Sequence, residues 1–357
     1  MNIPAQSLYY LLCYAWNRLE AKHLADVQAD AADYPQDLFA HLLREGFSRL
    51  LRQGIDRGYL EHTEDTRKPR GKLDLVSSIR RALRARGQVH VRYEELSRNV
   101  LHNRIIKTTM CRLATDRQLN PRLGGDIERL ARRVPEIAEI ELRDELFHRV
   151  QLHRNNAAYG FLLDLCQFTN RHLLPEKKHP GRFRFSDFTG NDREMGLLFE
   201  DFVRNFLYIE RRDLGIHKGH KQIKWDASPQ ECAIRIPVME ADIFVPNVRG
   251  RSVIIETKCK SEPFRRQDGS VSLNSDNLYQ LFAYLKNHTR EQGPAQLPAL
   301  GVLLYATIDK RFSYRYRVHD HLLWVRSLDL AKPWQEIRKD MDRFVAELET
   351  LAAEATT

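Results

Sequence analysis

Apolar residues recur at helical spacing in the opening segment, residues 7–19, where Leu8, Leu11, Leu12, Ala15 and Trp16 fall on one face, and again over residues 38–51. Both segments are read as core-forming helices. The pattern then changes. Residues 58–93 break into short polar and β-like stretches around a turn at Thr66-Arg67-Lys68-Pro69-Arg70-Gly71, with a basic helix predicted over residues 78–86. Helical spacing returns over residues 103–113, 126–133 and 159–174. It stops at Leu174-Pro175-Glu176-Lys177-Lys178-His179-Pro180-Gly181, which is therefore the predicted linker.

Beyond it, residues 194–207 carry an apolar stripe of Leu198, Phe199, Phe202, Val203 and Phe206, with Glu200 and Asp201 at its margin. Two β-like runs follow, Met239-Glu240-Ala241-Asp242-Ile243-Phe244 and Ser252-Val253-Ile254-Ile255-Glu256-Thr257-Lys258, then a helical run with Leu278, Leu281, Phe282 and Leu285. An apolar strand at residues 300–306 precedes an alternating run, residues 312–318, with Phe312, Tyr314, Tyr316 and Val318 on one face and Ser313, Arg315 and Arg317 on the other. Pro333 opens a terminal helix. This order predicts an α/β fold of mixed α+β character. A chain of 357 residues is long for a single core, so two domains are predicted, residues 1–175 and 176–357.

Charge and cysteine content narrow the class. A formal charge of +9 favours a polyanionic partner, for which nucleic acid is the usual candidate. Five scattered cysteines without C-x-x-C spacing indicate neither a disulfide framework nor a zinc site. The short opening apolar run meets Arg18 and Glu20, so no membrane segment is predicted and a cytoplasmic protein is expected. No G-x-x-x-x-G-K-[ST] loop occurs, hence the chain has no evident nucleotide site of its own.

Strand alternation places Glu240 and Asp242 on one face, and Glu256 and Lys258 on one face with Thr257 turned away. If the two strands pair, two or three acids and a lysine converge. That set suits phosphodiester hydrolysis with Mg²⁺, because the hard cation prefers carboxylate oxygens and the lysine orients the attacking water. It is the D…(D/E)xK pattern, which a solvated cross-strand ion pair also produces. A second Glu-x-Lys, Glu176-Lys177-Lys178, lies downstream of Asp164, but among prolines in the linker. Gln280 and Tyr284, four apart, project from one face of the following helix, as in one branch of such nucleases, and Glu200 is a further candidate metal ligand. The pairs His217/His220 and His319/His321 lack further ligands and are read as surface residues.

Several separated segments resemble the McrC family, the nuclease subunits of McrBC modification-dependent restriction systems. They are Ile3-Pro4 with Leu8-Tyr9-Tyr10-Leu11-Leu12 and Tyr14-Ala15-Trp16, Asn103-Arg104-Ile105-Ile106-Lys107, Arg184-Phe185-Ser186-Asp187-Phe188, Glu194-Met195, Lys224-Trp225-Asp226, Met239-Glu240-Ala241-Asp242 and Asn277-Leu278-Tyr279-Gln280-Leu281. The resemblance implies an N-terminal domain that docks onto an McrB-like AAA+ GTPase ring and a C-terminal PD-(D/E)xK restriction-endonuclease-like domain. It further implies stimulation of the ring's GTPase, GTP being used by the partner, and cleavage of double-stranded, methylated DNA. Carried onto this chain, Asp242 and Glu256 become metal ligands and Lys258 the water-positioning lysine, with Glu256 standing where aspartate occurs in the family. Arg67, Lys68, Arg70, Arg80, Arg81 and Arg84 then fall in the docking domain, where they contact either partner or DNA. Two alternatives stay open at this point: a stand-alone repair or recombination nuclease, and a non-catalytic subunit that activates an AAA+ NTPase.

Overall fold

The computed structural model describes residues 3–18, 35–117, 119–173, 192–227, 236–259, 264–267, 270–292 and 297–354. Two compact units result, one gathering Met1–Asp33 with Phe183–Thr357 and the other formed by Tyr34–Arg182. The first helix, α1 (Ala5–Ala15), therefore lies outside the domain to which a division at residue 175 assigns it. Its composition explains why. Leu8, Tyr9, Tyr10, Leu11, Leu12, Cys13 and Tyr14 are all buried, so the helix is apolar around its circumference and needs a core on every side. It finds one against the helix Asp192–Glu210, where Tyr10 and Tyr14 pack on Phe202 at ring separations of 6.0 and 5.7 Å. Asn205 ties the two by donating to the carbonyls of Tyr14 and Ala15, satisfying acceptors that the helix end leaves open. The predicted linker, the Glu176-Lys177-Lys178 triplet, the segment 184–188 and Cys232 lie outside the described residues.

The unit Tyr34–Arg182 combines helices with a small sheet. Helix α2 (Pro35–Gln53) leads into β1 (Gly58–Thr66), whose residues alternate between half-buried and exposed, as expected for a strand with one covered face. β2 (Lys72–Asp74) runs directly into α3 (Leu75–Arg80), capped by Asp74, whose carboxylate accepts from the backbone N–H of Ser77 at 2.9 Å. The basic helix predicted over residues 78–86 is thus two elements. Ala82 adopts a left-handed conformation at φ 51°, which ends the α-helix and leaves a single 3₁₀ turn over Leu83–Arg86. β3 (Val89–Ser97) is the central strand of the order β1-β3-β2. Helices α4 (Leu101–Ala114), α5 (Pro121–Ala131), α6 (Asp144–His148) and α7 (Tyr159–Phe168) complete the unit, with Phe39 of α2 stacked on Phe168 of α7 at 5.0 Å.

The other unit is built around a five-stranded sheet. Helix α8 (Asp192–Glu210) precedes a two-stranded ribbon of β4 (Lys221–Ile223) and β5 (Met239–Ala241), then β6 (Ile243–Val248) and β7 (Arg251–Cys259). A hairpin of β8 (Phe264–Gln267) and β9 (Ser270–Leu273), helix α9 (Ser275–Gln292), β10 (Leu300–Thr307), β11 (Ser313–Val318), β12 (His321–Asp329) and helix α10 (Trp334–Glu354) follow. The sheet order is β11-β12-β10-β7-β6, with β7, β10 and β12 parallel. Parallel strands covered on both faces must be apolar on both, and β10 is buried at all eight positions. Leu281, Tyr284 and Leu285 of α9 cover the face bearing Ile254, Leu303 and Leu323, and Gly301 leaves room for them, since a Cβ there would meet Leu285 at 2.7 Å. Trp324, on the opposite face, stacks on Phe344 of α10. Among the described residues no helix is long and apolar enough to cross a membrane.

Candidate functional site

The two runs read as paired strands do pair, as β6 and β7, but the first does not remain one strand. Its N-terminal part, β5, pairs with β4, and only from Ile243 does the chain pair with β7. Asp242 is the bend between the two, so simple alternation no longer fixes where its side chain goes. Its Oδ2 accepts from the backbone N–H of Thr257 at 2.8 Å and from the Thr257 hydroxyl at 2.7 Å. Thr257, turned away from the Glu256 and Lys258 face as expected, is the residue that anchors Asp242. Glu240 stays exposed on the ribbon, facing Gln222 at 3.5 Å.

Glu256 and Lys258 occupy the α9 face of β7 as alternation predicts. Lys258 Nζ donates to Glu256 Oε1 at 2.8 Å and to Gln280 Oε1 at 3.0 Å, while Gln280 Nε2 donates to the Tyr284 hydroxyl at 2.8 Å. The helix that carries Gln280 and Tyr284 therefore lies directly over the lysine, in a chain Glu256–Lys258–Gln280–Tyr284. Burial pushes the Tyr284 hydroxyl up to about 12, leaving it a neutral acceptor and donor. Glu256 is 1% exposed, and its Oε2 is buried without a hydrogen-bond partner. Burial, and then the neighbouring charge of Asp242, push its carboxyl up to about 7 against the opposing pull of Lys258.

On the other side of Asp242, α8 contributes Glu200. Ligand atoms of Glu200, His220 and Asp242 all lie within 4.8 Å of one another. Burial first, and Asp242 second, raise the Glu200 carboxyl above its ordinary range. Arg204, one turn further along α8, is buried among these groups: it ion-pairs with Glu200, pairs with Asp201 at 2.9 Å, and donates from its NH2 nitrogen to the Asp242 carbonyl at 3.0 Å. Neither Arg204 nor His220 was singled out as a site residue by sequence. The Glu200–Arg204 spacing is a helical i,i+4 pair and so offered a signal, whereas His220 has none beyond its nearness to His217, which remains exposed. His319 and His321 belong elsewhere, packed against Phe282.

This donor set fits a divalent cation. Glu200 and Asp242 meet His220, and Glu256 lies near enough to Asp242 to feel its charge; Glu200 and Glu256 have raised pKa values, and one Glu256 oxygen has no hydrogen-bond partner. A hard cation supplies the positive charge that the set lacks, although the His220 imidazole is a ligand type better suited to zinc or iron than to magnesium. Arg204 supplies part of that charge.

The basic residues of the other unit are arranged differently. Arg67, Lys68, Arg80, Arg81 and Arg84 are exposed. Arg70 lies over the Tyr93 ring at 3.7 Å and pairs with Glu64, and Arg81 reaches Asp65 at 3.3 Å. Among them stand exposed apolar side chains, Leu75 at 63%, Val76 at 63% and Ile79 at 74%.

Residues 3–306 match the family described as McrBC 5-methylcytosine restriction system component. A curated relative, the type IV methyl-directed restriction enzyme EcoKMcrBC of Escherichia coli strain K12, is 28% identical over 95% of this chain and 96% of its own length. The fold also resembles a chain in a refined half-complex from the tetradecameric assembly of Thermococcus gammatolerans McrB AAA+ hexamers with bound McrC. There the TM-score is 0.57 at 19% identity, over 96% of this chain and 76% of that one. With the family match spanning most of its length, from the buried helix α1 through β10, this chain belongs to the McrBC 5-methylcytosine restriction system component family.

Proposed function

We propose that the chain is the DNA endonuclease subunit of a modification-dependent restriction complex, working with an McrB-like AAA+ GTPase ring. The observation that carries this reading is the meeting of Asp242, Glu256 and Lys258 at one end of the β6–β7 pair, with Glu256 nearly fully buried. A carboxylate held at 1% exposure, with one oxygen unpartnered, is costly to a fold that needs only an ion pair. A site that takes up a cation on both sides of Asp242 accounts for it.

Asp242, Glu256 and Glu200 are assigned to hold Mg²⁺, which when bound supplies Lewis-acid polarisation of the scissile phosphate. Thr257 fixes the Asp242 carboxylate through two hydrogen bonds, and Arg204 fixes the Asp242 backbone. Lys258 is held by Glu256 and Gln280, leaving its third ammonium proton to orient a water or a phosphate oxygen at the strand end. Tyr284 holds Gln280, so the lysine is positioned by a relay that extends into the core.

Double-stranded, methylated DNA is the proposed substrate, with GTP hydrolysed by the ring. Partner contact is assigned to α3 and the neighbouring turn, where Val76 and Ile79 stand exposed among Arg80, Arg81, Arg67 and Lys68. The test is cleavage of methylated plasmid in Mg²⁺ by this chain, with and without the ring and GTP, beside Asp242→Ala. Cutting that needs ring and GTP and disappears in the variant supports the proposal. Cutting by the lone chain selects a stand-alone nuclease, and stimulated GTPase without cutting selects a non-catalytic subunit.

A further inference from the structure

The edge strand β11 carries chemistry that neither the acid site nor the partner surface uses. Its sequence is Ser-Tyr-Arg-Tyr-Arg-Val, and its first five residues are all exposed, including Tyr314 at 46% and Tyr316 at 43%. The register across the sheet aligns Tyr314 with Val325, Val325 with Leu303, and Leu303 with Glu256, so Tyr314 shares a row and a face with the buried carboxylate. Three strand spacings separate them, about 14 Å. Phe312 leads into β11 and hydrogen-bonds through its N–H to Ser327, which aligns with Tyr305 and through it with Lys258.

The rings along this row form a fixed ladder. Tyr305 lies 5.9 Å from Phe312, and Phe312 is stacked with Tyr314 at 5.9 Å with planes 11° apart. Phe264 of β8 closes on Phe312 at 4.8 Å and on Tyr314 at 6.3 Å. The inner members, Tyr305 and Phe312, are explained by core packing. The outer members are not, because Tyr314 and Tyr316 leave much of their rings in water at the end of the ladder. Arg315 and Arg317 alone would blunt a sheet edge against unwanted pairing, as charged edge residues do, and exposed tyrosines add nothing to that role. Rigid exposed rings along one face of a sheet edge, with Arg317 and Arg315 on its other face and Arg315 paired with Glu354 at 3.4 Å, on a chain of net charge +9, are instead the components of a platform for unpaired nucleic acid.

We infer that β11, with Tyr314 and Tyr316 as stacking surfaces and Arg317 reaching round the sheet edge from the other face as a phosphate contact, binds a single-stranded segment of DNA beside the cleavage site. A duplex presents its backbone and groove edges and keeps its base faces stacked, so the exposed rings select a strand that is already unpaired. The inference rests on the nuclease reading only for the meaning of its position next to Glu256; the binding itself needs no cleavage.

The experiment is fluorescence anisotropy with a labelled oligothymidine of about 20 nucleotides and, separately, a duplex of matched length, using the full chain. The variants are Tyr314→Ala with Tyr316→Ala, the corresponding double change to Phe, and Tyr316→Ala alone, which leaves the Phe264, Phe312 and Tyr314 stack in place. The expected result is a loss of oligothymidine affinity of about tenfold for each tyrosine removed, retention in the Phe variant, and little change in duplex binding. If the double Ala variant fails to fold, Tyr316→Ala decides alone. Unchanged oligothymidine affinity in the Ala variants, equal losses in the Ala and Phe variants, or equal losses for single strand and duplex overturn the inference. So does a defect confined to stimulation by the ring, which would make β11 a protein contact. Oligothymidine binding that depends on the tyrosines in a chain that never cuts DNA would leave the platform standing and remove the nuclease reading.

Discussion

On β7, Glu256 lies almost wholly out of water beside Lys258, whereas on and just after α3, Arg80 and Arg81 stand in solvent next to Val76 and Ile79, which are exposed as well. The two regions invert the ordinary placement of side chains in opposite ways: one buries charge, the other exposes apolar surface. Buried charge persists only where a partner group or ion compensates it, and exposed apolar surface where something covers it. On the function proposed above, the first region carries chemistry and the second recognition, and each half of that proposal can be broken separately.

The largest effect is expected from Asp242→Ala. Removing the carboxylate that joins Glu200 and His220 to the Glu256 side takes away a proposed ligand and leaves Thr257 without its acceptor. DNA cleavage by the complex is expected to fall by roughly a thousandfold or more, consistent with several kcal/mol of lost transition-state stabilisation. GTPase stimulation, read from phosphate release, is expected to persist. Loss of both together would show that the acid cluster holds the fold for docking as well, and the division of labour would fail.

Next comes the pH dependence set by Glu256. Its carboxyl is raised from 4.5 in an ordinary setting to about 7 in the folded chain. Between those values the folded state keeps a proton that the unfolded chain has lost, so stability falls as pH climbs from about 4.5 to 7 and is level above. The contribution is on the order of 3 kcal/mol. Glu256→Gln removes the titration, so at pH 8 the variant is expected to melt several degrees above the unaltered chain, with the gap closing toward pH 5. Added Mg²⁺ is expected to stabilise the unaltered chain at pH 8 and leave the variant nearly unmoved. A constant gap across pH would place the burden on some other group.

How much of this was legible beforehand depended on what fixed each residue. The long apolar runs of β7 and β10 and the amphipathic stripe of α8 were readable because burial on one or two faces imposes its own period. So was the Glu256, Lys258 and Gln280 group, since strand alternation and helical i,i+4 spacing act locally. Asp242 could be named but not oriented, because its place follows from a change of pairing partner between β5 and β6 that local pattern does not encode. Thr257 was rightly turned away from the Glu256 and Lys258 face, but its role as the anchor of Asp242 follows from that same change of pairing partner. Arg204 and His220 depend on how α8 and the ribbon meet the sheet, a tertiary matter. The helix α1 was recognised as core, but nothing in its periodicity said whose core it joins.

A smaller effect is expected on the recognition side. Replacing Val76 and Ile79 together by Asp puts charge on surface that is already in water, so stability is expected to stay within about 0.5 kcal/mol. Affinity for the ring, measured by titrating GTPase stimulation, is expected to drop by tenfold or more, in the range typical of losing a buried interface anchor. An unchanged titration would move the docking surface away from α3. A fall in melting temperature equal to that of a core change would mean that these side chains are covered by the chain itself.

The smallest expected effect belongs to Arg70, which tests where the recognition surface stops. Its guanidinium lies over Tyr93, and it pairs with Glu64 at 3.2 Å, with both side chains of that pair well exposed. An exposed ion pair and an exposed cation–π contact are each worth about 1 kcal/mol or less, and the first is screened by salt. Arg70→Ala is therefore expected to lower stability by about 1 kcal/mol in low salt and less in high salt, read from denaturant melts at the two ionic strengths. Gly71 beside it behaves differently: its φ is +70°, and a Cβ would meet the Arg92 carbonyl at 2.5 Å, so Gly71→Ala distorts the turn and is the control for a purely structural effect. If Arg70→Ala weakens ring-dependent GTPase stimulation more than its small stability loss explains, the turn belongs to the docking surface together with α3. If it weakens DNA binding instead, with a smaller salt slope, its guanidinium contacts phosphate, and the exposed charge of this unit serves the substrate rather than the partner.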